Sequence, residues 1–202
     1  MVKRMVCLAL GLFVTAFAFS QQVPQTYQEP EQGFDKSRLF LGGSIALGFS
    51  SGSFNIGANP EIGYSVTDWL DAGIGINLNY FSLNADYNYG VTQHSFNYGL
   101  GPFVRAYPLN FLFVQAQLEQ NWMHYNLKDV NTGQTSEFTT NAPSVLLGLG
   151  YSQRLVGQAN YYMALLFDVN DNPNSPYRDG YNHAIPIIRA GFNIYLNKGH
   201  RK

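Results

Sequence analysis

FNIGANPEIGYSVTDWLDAGIGINLNY, residues 54–80, decides the fold because apolar side chains alternate with small or polar ones on both sides of a single turn. A strand directs successive side chains to opposite faces, so each arm has one apolar face and one polar or glycine-rich face. Thr67, Asp68 and Trp69 between the arms predict the tight turn of a hairpin. At a tilt of about 40°, each arm spans roughly 30 Å, the thickness of a bilayer's hydrocarbon core. The stretch therefore predicts a membrane-spanning hairpin.

The same period of two recurs along most of the chain after residue 38. It predicts eight strands, at about residues 39–49, 54–66, 70–80, 96–106, 112–122, 141–154, 161–169 and 184–196. The seventh strand is apolar on both faces, so its register stays open. Short connections at 67–69, 108–111 and 156–160 alternate with long polar ones at 84–93, 128–140 and 170–183. Short turns are periplasmic in outer-membrane barrels. The prediction is an all-β fold, an eight-stranded antiparallel up-and-down transmembrane β-barrel with both termini in the periplasm.

The ends of the chain differ from this repeating part. Residues 1–20 combine Lys3 and Arg4 with an apolar run and the cleavage-site pattern Ala18-Phe19-Ser20, which predicts a secretory signal peptide that is removed. Residues 21–37 lack periodicity and are expected to form a flexible periplasmic lead-in. The barrel is predicted over residues 38–196, and residues 197–202 form a basic tail.

Composition narrows the possible chemistry. The one cysteine, Cys7, lies in the predicted signal peptide, so no disulfide or thiolate metal site is expected in the exported chain. Without Lys3 and Arg4, ten basic residues remain against 13 acidic ones. This mild acidity argues against a nucleic-acid partner.

Charged residues within the strands orient the barrel wall. A soluble lipocalin-like barrel is the alternative, but its outer face would carry many charged side chains, whereas these strands contain almost no lysine. Glu61, Arg105, Glu119 and Arg189 lie near the middle of their strands, on the polar face. A basic group facing lipid at the midplane costs about 2–4 kcal/mol. We therefore expect these four residues to form a charge cluster in the lumen.

Aromatic residues near the predicted strand ends suggest two interfacial girdles. One end carries Tyr64, Trp69, Tyr107, Tyr151 and Tyr195, and the other carries Phe49, Phe54, Tyr80, Phe96 and Trp122.

Three segments, residues 59–64, 67–70 and 99–107, resemble strands two to four of the outer membrane protein beta-barrel domain family. That family is similar to the small OmpA/OmpX-type barrels of Gram-negative bacteria, and the resemblance covers residues 38–196. It implies the barrel fold and a location in the outer membrane, but no fixed function for the four lumen charges. Many such barrels end on an aromatic residue, whereas here Leu196 and the basic tail follow Tyr195.

Catalytic, cofactor and metal sites are not expected. His94 and Ser95 suggest a hydrolase, but adjacent strand residues point to opposite faces and cannot act together. His124, His183 and His200 are scattered, without metal-ligand spacing. Asp168, Asp171 and Asp179 could attract a cation, but a solvated acidic loop explains them more simply.

The sequence thus favours a non-enzymatic envelope protein, with a structural or surface-interaction role through its loops. Outer-membrane lipid and possible surface ligands or envelope proteins are the expected partners. A narrow pore or small-molecule transporter is the first alternative, and a lipid-modifying barrel enzyme is the second. In the lumen, Arg105 is expected to pair with Glu119, and Arg189 with Glu61 or Glu119. An eight-stranded interior is just wide enough for its side chains, which favours a polar plug over a conducting path.

Overall fold

Eight antiparallel strands close into a barrel in which each strand pairs with the next and the last pairs with the first. The structure, a computed structural model, describes residues 34–50, 52–178 and 182–196. Its strands are β1 (Leu39–Ser50), β2 (Ser53–Thr67), β3 (Leu70–Leu83), β4 (Val91–Leu109), β5 (Leu112–Asp129), β6 (Thr135–Ser152), β7 (Asn160–Asp168) and β8 (Ile187–Tyr195). The predicted fold class is confirmed.

The hairpin of residues 54–80 forms with the predicted turn and faces. Ile62 lies opposite Ile74 and Ile56 opposite Tyr80, and a bulge between Ser65 and Thr67 precedes the turn. Apolar side chains on the outer face are about half exposed, such as Ile74 at 49%. Asp71 and Asn77, on the inner face of the same strand, are buried. This arrangement, apolar outside and polar inside, is that of a transmembrane barrel and excludes the lipocalin-like alternative.

β7 and β8 settle the register that the sequence left open. In β7, Tyr161, Met163, Leu165 and Phe167 point outward, whereas Tyr162, Ala164, Leu166 and Asp168 are buried. In β8, Ile188 and Phe192 point outward, and Arg189 points into the lumen. Among the described residues, no helix is long and apolar enough to cross a membrane.

The largest extensions beyond the predicted strand ends occur in β4, β5 and β6. β4, β5 and β6 contain 19, 18 and 18 residues, whereas β7 and β8 contain nine each. The predicted loops 84–93 and 128–140 therefore shrink to 84–90, which includes the 3-10 helix Ala85–Tyr87, and to 130–134. Most side chains of these strand extensions are half-buried or exposed on both faces, so strand pairing continues there after the apolar alternation has stopped.

The start of the barrel is also more ordered than predicted. Asp35 caps a 3-10 helix, Lys36–Arg38, by accepting a 2.8 Å hydrogen bond from the Ser37 amide. Arg38 then contacts Asp68 at 3.2 Å, which holds this helix against the β2–β3 turn. The predicted signal peptide, the lead-in up to residue 33 and the basic tail lie outside the described residues.

Glycines in the lumen face large aromatic rings. A Cβ at Gly63 would lie 2.2 Å from the Phe40 ring, and one at Gly150 would lie 2.1 Å from the Phe113 ring. The rings therefore fill space that a larger residue on the neighbouring strand would occupy. Tyr107 and Tyr195 belong to this buried set, at 7% exposure each. Their predicted place in an interfacial girdle is wrong because both lie at inward positions of their strands.

Candidate functional site

The predicted lumen charges Glu61 and Arg105 lie together at the centre of the site. Arg105 binds Glu61 through both terminal nitrogens, with each N–O distance 2.7 Å, and both side chains are almost fully buried. They project from β2 and β4, with β3 between them. On β3, Gly75 lies opposite Glu61 and Asp71 lies opposite Arg105, and Gly73 between them places no β3 side chain in the path from Arg105 to Glu61. A paired, fork-like contact of this kind is the strongest form of ion pair.

Aromatic rings surround the Arg105 guanidinium. Its central carbon lies 4.6 Å from the centre of the Phe103 ring and 4.5 Å from that of Tyr162, with Phe113 at 5.5 Å. Tyr162 also donates a 3.3 Å hydrogen bond to Glu61 across the lumen. The rings replace water around the cation, so the pair is held by protein groups on several sides.

Glutamines on β5 connect the Glu61–Arg105 pair to a second ion pair, Glu119–Arg189. Arg105 Nε donates to Gln115 at 2.8 Å, Gln115 donates to Gln117 at 3.0 Å, and Gln117 donates to Glu119 at 2.9 Å. Gln115, Gln117 and Glu119 are spaced by two along β5 and therefore share its inner face.

Arg189 reaches the same group of residues from β8. It donates to Gln117 at 3.0 Å and lies 3.5 Å from Glu119. Of the two partners proposed for Arg189, the structure selects Glu119. The predicted pair of Arg105 with Glu119 is wrong, because the glycines of β3 let Arg105 reach Glu61 instead. In the described part of the chain, Gln115 and Gln117 connect Arg105 to Glu119.

A third ion pair, missed from the sequence, lies at the end of the barrel with the short connections. Arg154, just after β6, binds Asp71 of β3 at 2.6 Å. It also donates to the backbone oxygens of Thr67 and Asp68, and its guanidinium lies 4.4 Å from the Tyr107 ring centre. Asp71 lies on the predicted polar face of its strand, and Arg154 lies at the end of the predicted sixth strand, which stops at Ser152 in the structure.

At the opposite end, the described part of the β7–β8 connection that includes Ser175 and Tyr177 reaches into the barrel mouth. Tyr177 enters the lumen and donates a 2.5 Å hydrogen bond to Glu119. Ser175 donates to Asp168 at 2.5 Å and lies 3.0 Å from the Ser144 hydroxyl. These contacts fix the described part of the connection inside the barrel mouth.

The proposed acidic cation site is not assembled from the described residues. The Asp168 carboxylate is buried and accepts hydrogen bonds from the Val145 amide, the Asn170 amide and Ser175. Asp171 is largely exposed and lies 3.3 Å from Arg178. Asp179 lies outside the described residues, and no acidic or histidine cluster of metal-binding geometry occurs in the part of the chain that is described.

His94 and Ser95 lie on opposite faces of β4, as the strand geometry requires. His94 Nδ1 is 2.9 Å from the Tyr80 hydroxyl on the outside, whereas Ser95 is buried inside. His124 Nδ1 is 3.2 Å from the Thr139 hydroxyl. These contacts join neighbouring strands and do not form a nucleophile–base pair.

The long strands form a wall that rises above the rest of the barrel. A strand needs about 9–11 residues to cross the hydrocarbon. Counted as about 11 residues from the short-turn ends, this leaves residues 91–98 of β4, 123–129 of β5 and 135–141 of β6 beyond it; we call these segments the projecting wall. Tyr125 and Phe138 stack on it at 4.9 Å. The Val130 amide bonds the Gly90 oxygen at 2.9 Å and joins its two terminal turns.

The chain is similar to several solved outer-membrane proteins at low sequence identity. No protein-family model and no curated protein sequence matches the chain. Among solved structures, it is similar to a major outer membrane protein of Thermus thermophilus (14% identity, TM-score 0.47), covering 77% of this chain and 98% of that one. It is also similar to Ail of Yersinia pestis in complex with the heparin analogue sucrose octasulfate (9% identity, TM-score 0.47; 77% and 96% covered). A third is Neisserial surface protein A (10% identity, TM-score 0.41; 78% and 95% covered).

The chain's own geometry carries the assignment of class. Eight strands close around a lumen filled by side chains, and the outer face is apolar. Barrels of this construction span outer membranes. The chain is therefore an eight-stranded β-barrel of the kind that spans outer membranes.

Proposed function

We propose that the protein is a non-enzymatic, non-conducting barrel that presents the projecting wall at the cell surface. The observation that supports the proposal is the set of buried ion pairs that cross the lumen. Three buried ion pairs, Asp71–Arg154, Glu61–Arg105 and Glu119–Arg189, join strands that are not neighbours. Above them, Tyr177 of the β7–β8 connection closes the mouth. A lumen closed in this way leaves the surface beyond the membrane as the part available for partners.

A narrow pore or small-molecule transporter is the second candidate. The glutamine chain from Arg105 to Glu119 favours it, because it places hydrogen-bonding groups along the lumen. Each amide is already bonded to a neighbouring protein group, however, and each of the four predicted lumen charges has an oppositely charged partner within 3.5 Å. An ion entering this region would have to break those bonds, at the cost of buried unpaired charge.

The charges on the projecting wall do not fit a receptor for polyanions. A sulfated ligand, such as the one named with Ail, requires clustered basic groups. The projecting wall instead carries Lys128 next to Asp129, with Glu137 on the adjoining strand. This distribution favours recognition through backbone and aromatic groups over recognition through charge.

Planar-bilayer recording tests the sealed lumen. The purified protein is expected to give no stepwise current, whereas the double variant Glu119→Ala with Tyr177→Ala should open the mouth and admit small ions. Steady conductance of the unaltered protein would replace this proposal with the pore.

Surface exposure of the wall is tested separately. An epitope inserted between Asn131 and Gln134 should bind antibody on intact cells, because the β5–β6 turn is expected outside. Labelling only after the outer membrane is permeabilised would reverse the orientation.

A further inference from the structure

Three asparagines lie next to one another on the lumen side of β2, β3 and β4, near the outer end of the barrel. Asn79 lies directly opposite Asn97 of β4 and, on its other side, opposite Gly57 of β2. Asn55 lies two residues before Gly57 on β2 and therefore on the same inner face. We call Asn55, Asn79 and Asn97 the asparagine triad.

The side-chain oxygens of the asparagine triad lack hydrogen-bond partners. Each Oδ1 atom is buried, and none accepts a hydrogen bond from the part of the chain that the structure describes. Asn97 is only 6% exposed, so bulk water does not solvate it. Buried polar groups without a partner are rare in native proteins, and a bound water or ion is a common explanation for them.

The asparagines one step nearer the charge cluster do have partners. Asn77 donates to the Asn121 oxygen at 3.4 Å, and Asn121 donates to Ser144 at 3.3 Å. The Ser144 hydroxyl in turn lies 3.0 Å from that of Ser175. The same residue type on the inner faces of these strands is therefore hydrogen-bonded at this level, so the unpartnered oxygens are specific to the triad.

The residues beside the triad supply no hydrogen-bond donor. Gly57 has no side chain, and a Cβ built there would lie 3.5 Å from Asn79 Oδ1. Met123, opposite Asn97 on β5, has no side-chain N–H or O–H. A water molecule has two hydrogens to donate, so one water leaves one of the three oxygens without a partner. A cation attracts all three oxygens at once.

The spacing of the strands suits a shared ion. Directly opposite side chains have Cβ atoms about 4.5–5.5 Å apart. Oxygen ligands lie about 2.3–2.6 Å from a hard cation such as calcium, so two oxygens that share it are at most about 5 Å apart. Asn55 and Asn79 are half-buried and leave an approach from outside. This approach lies beyond the contact between Tyr177 and Glu119, because Met123 is further outward on β5 than Glu119.

The charge of the site favours a monovalent cation. All three triad side chains are neutral amides, and the lumen carboxylates Glu61 and Glu119 are already paired with arginines. Calcium sites reach high affinity through charged ligands, whereas neutral carbonyl oxygens replace the hydration shell of K⁺ in channel filters. A divalent ion would bring two uncompensated charges into the lumen, and a monovalent ion brings one.

We propose that the asparagine triad binds one monovalent alkali cation, Na⁺ or K⁺, through its three side-chain oxygens. The ion enters from the outer end, and water completes its coordination on that side. It joins β2, β3 and β4 near the base of the projecting wall. The hydrogen bonds from Asn77 to Ser175 and the ion pairs beyond them keep it from crossing the barrel, so the site is compatible with a non-conducting protein.

NMR of the full barrel in nanodiscs tests the site, with choline chloride replaced stepwise by NaCl or KCl at constant ionic strength. The side-chain amide signals of Asn55, Asn79 and Asn97 should shift together and saturate with Na⁺ or K⁺. The signals of Asn77 and Asn121 should stay unchanged. No saturable shift up to about 0.5 M of either salt overturns the proposal, as does a shift that only CaCl₂ produces. Either result leaves the surface role standing.

Asn97→Asp distinguishes a bound cation from bound water. Next to a cation, the added carboxylate should raise affinity at least about tenfold. Without a cation, the same carboxylate is a buried unpaired charge, and the variant should unfold at lower urea without any response to Na⁺ or K⁺. Asn131→Asp, in the exposed β5–β6 turn, is the control and should bind within about twofold of the unaltered protein.

Asn97→Leu removes one of the three oxygens and keeps a side chain of similar size. The Na⁺- or K⁺-dependent shifts of Asn55 and Asn79 should disappear in this variant. Persistence of those shifts, or an Asn97→Asp variant that binds no more tightly than the unaltered protein, overturns the proposal. If Asn97→Asp fails to fold in either salt, the titration of the unaltered protein and of Asn97→Leu still decides the result.

Discussion

The two sides of the barrel differ by a factor of two in strand length. β4, β5 and β6 have 18 or 19 residues, and β7 and β8 have nine. In β7, buried and exposed residues alternate without a break, whereas in β5 the alternation weakens after Met123. Alternation therefore marks the part of a strand that separates lipid from lumen, and pairing can continue beyond it.

The membrane-embedded part of the barrel and the projecting wall are also stabilised by different interactions. Within the membrane, the barrel is stabilised by buried ion pairs and aromatic rings. A buried charge that loses its partner there cannot be solvated by water instead. On the projecting wall, stability comes from backbone ladders, turn hydrogen bonds and cross-strand pairs, each of modest size. Substitutions in the lumen should consequently cost much more than substitutions on the wall.

The largest effect is expected at the centre of the lumen. Arg105→Met leaves Glu61 buried without its cation, which should lower the free energy of unfolding by about 3–5 kcal/mol. Urea unfolding of protein refolded into bilayers measures this. Combining Arg105→Met with Glu61→Met should cost less than the two single losses added together, because no unpaired charge remains.

The matched control is Arg105→Met with Glu119→Met, whose partners communicate only through Gln115 and Gln117. The coupling energy between Arg105 and Glu119 should be smaller than that between Arg105 and Glu61. Strict additivity in both pairings would show that the charges are separately hydrated.

The second effect concerns the lipid-facing surface. Ile74→Arg places a cation near the midplane and should cost about 2–4 kcal/mol in the same unfolding assay. Asn77→Ser, on the lumen face of the same strand, should cost about 1 kcal/mol, because it removes only the 3.4 Å contact with Asn121. Equal losses for the two variants would mean that the assigned faces of β3 are wrong.

The third effect lies where the lumen meets the β7–β8 connection. Tyr177→Phe removes the hydrogen bond to the Glu119 carboxylate and should cost about 1.5–3 kcal/mol, with faster amide exchange at Ser175 and Tyr177. Tyr89→Phe serves as the control because Tyr89 is fully exposed. Unchanged exchange in the Tyr177 variant would show that the other hydrogen bonds of the connection, such as that between Ser175 and Asp168, are enough to hold it.

The smallest effect is expected on the wall. Hydrogen bonds from the Asn131 and Thr132 amides hold the pKa of the exposed Asp129 carboxylate below its ordinary value of 3.8. A lowered pKa means that the turn is stabilised above that value and loses this support as the pH falls through the pKa of the folded state. The amide shifts of Asn131 and Thr132 should follow this titration in NMR spectra. Asp129→Asn should abolish the pH dependence, and a response of Arg105 or its neighbours in the same range would contradict the separation of wall and lumen.

The sequence predicted most of the membrane-embedded architecture, because the bilayer imposes a strict pattern on one face of each strand. The faces of β2, β3 and β8 are right for this reason. The wall was mistaken for loops because polar residues such as Gln93, Lys128 and Thr135 carry no alternation when both faces are wet. Nothing local distinguishes such a segment from a loop.

The site was less predictable than the fold. Placement of Glu61, Arg105, Glu119 and Arg189 in the lumen follows from period and polarity, but their partners depend on what lies between them. Gly73 and Gly75 allow Arg105 to cross β3, and this is a property of two strands and a barrel radius together. Arg154 and Tyr177 come from connections, whose path no strand pattern determines.

The join between the first and last strands bears on how the molecule assembles. β1 meets β8 over six residue pairs, from Phe40 opposite Tyr195 to Ile45 opposite Ala190, whereas β5 and β6 share 17. Hairpins between consecutive strands form early because their residues are close along the chain, but this join unites residues about 150 positions apart. Ring closure should therefore be the slow, last step of folding. Its completion should be reported by the 2.9 Å contact between the Ser65 and Tyr195 hydroxyls, which forms only when the two ends of the chain have met.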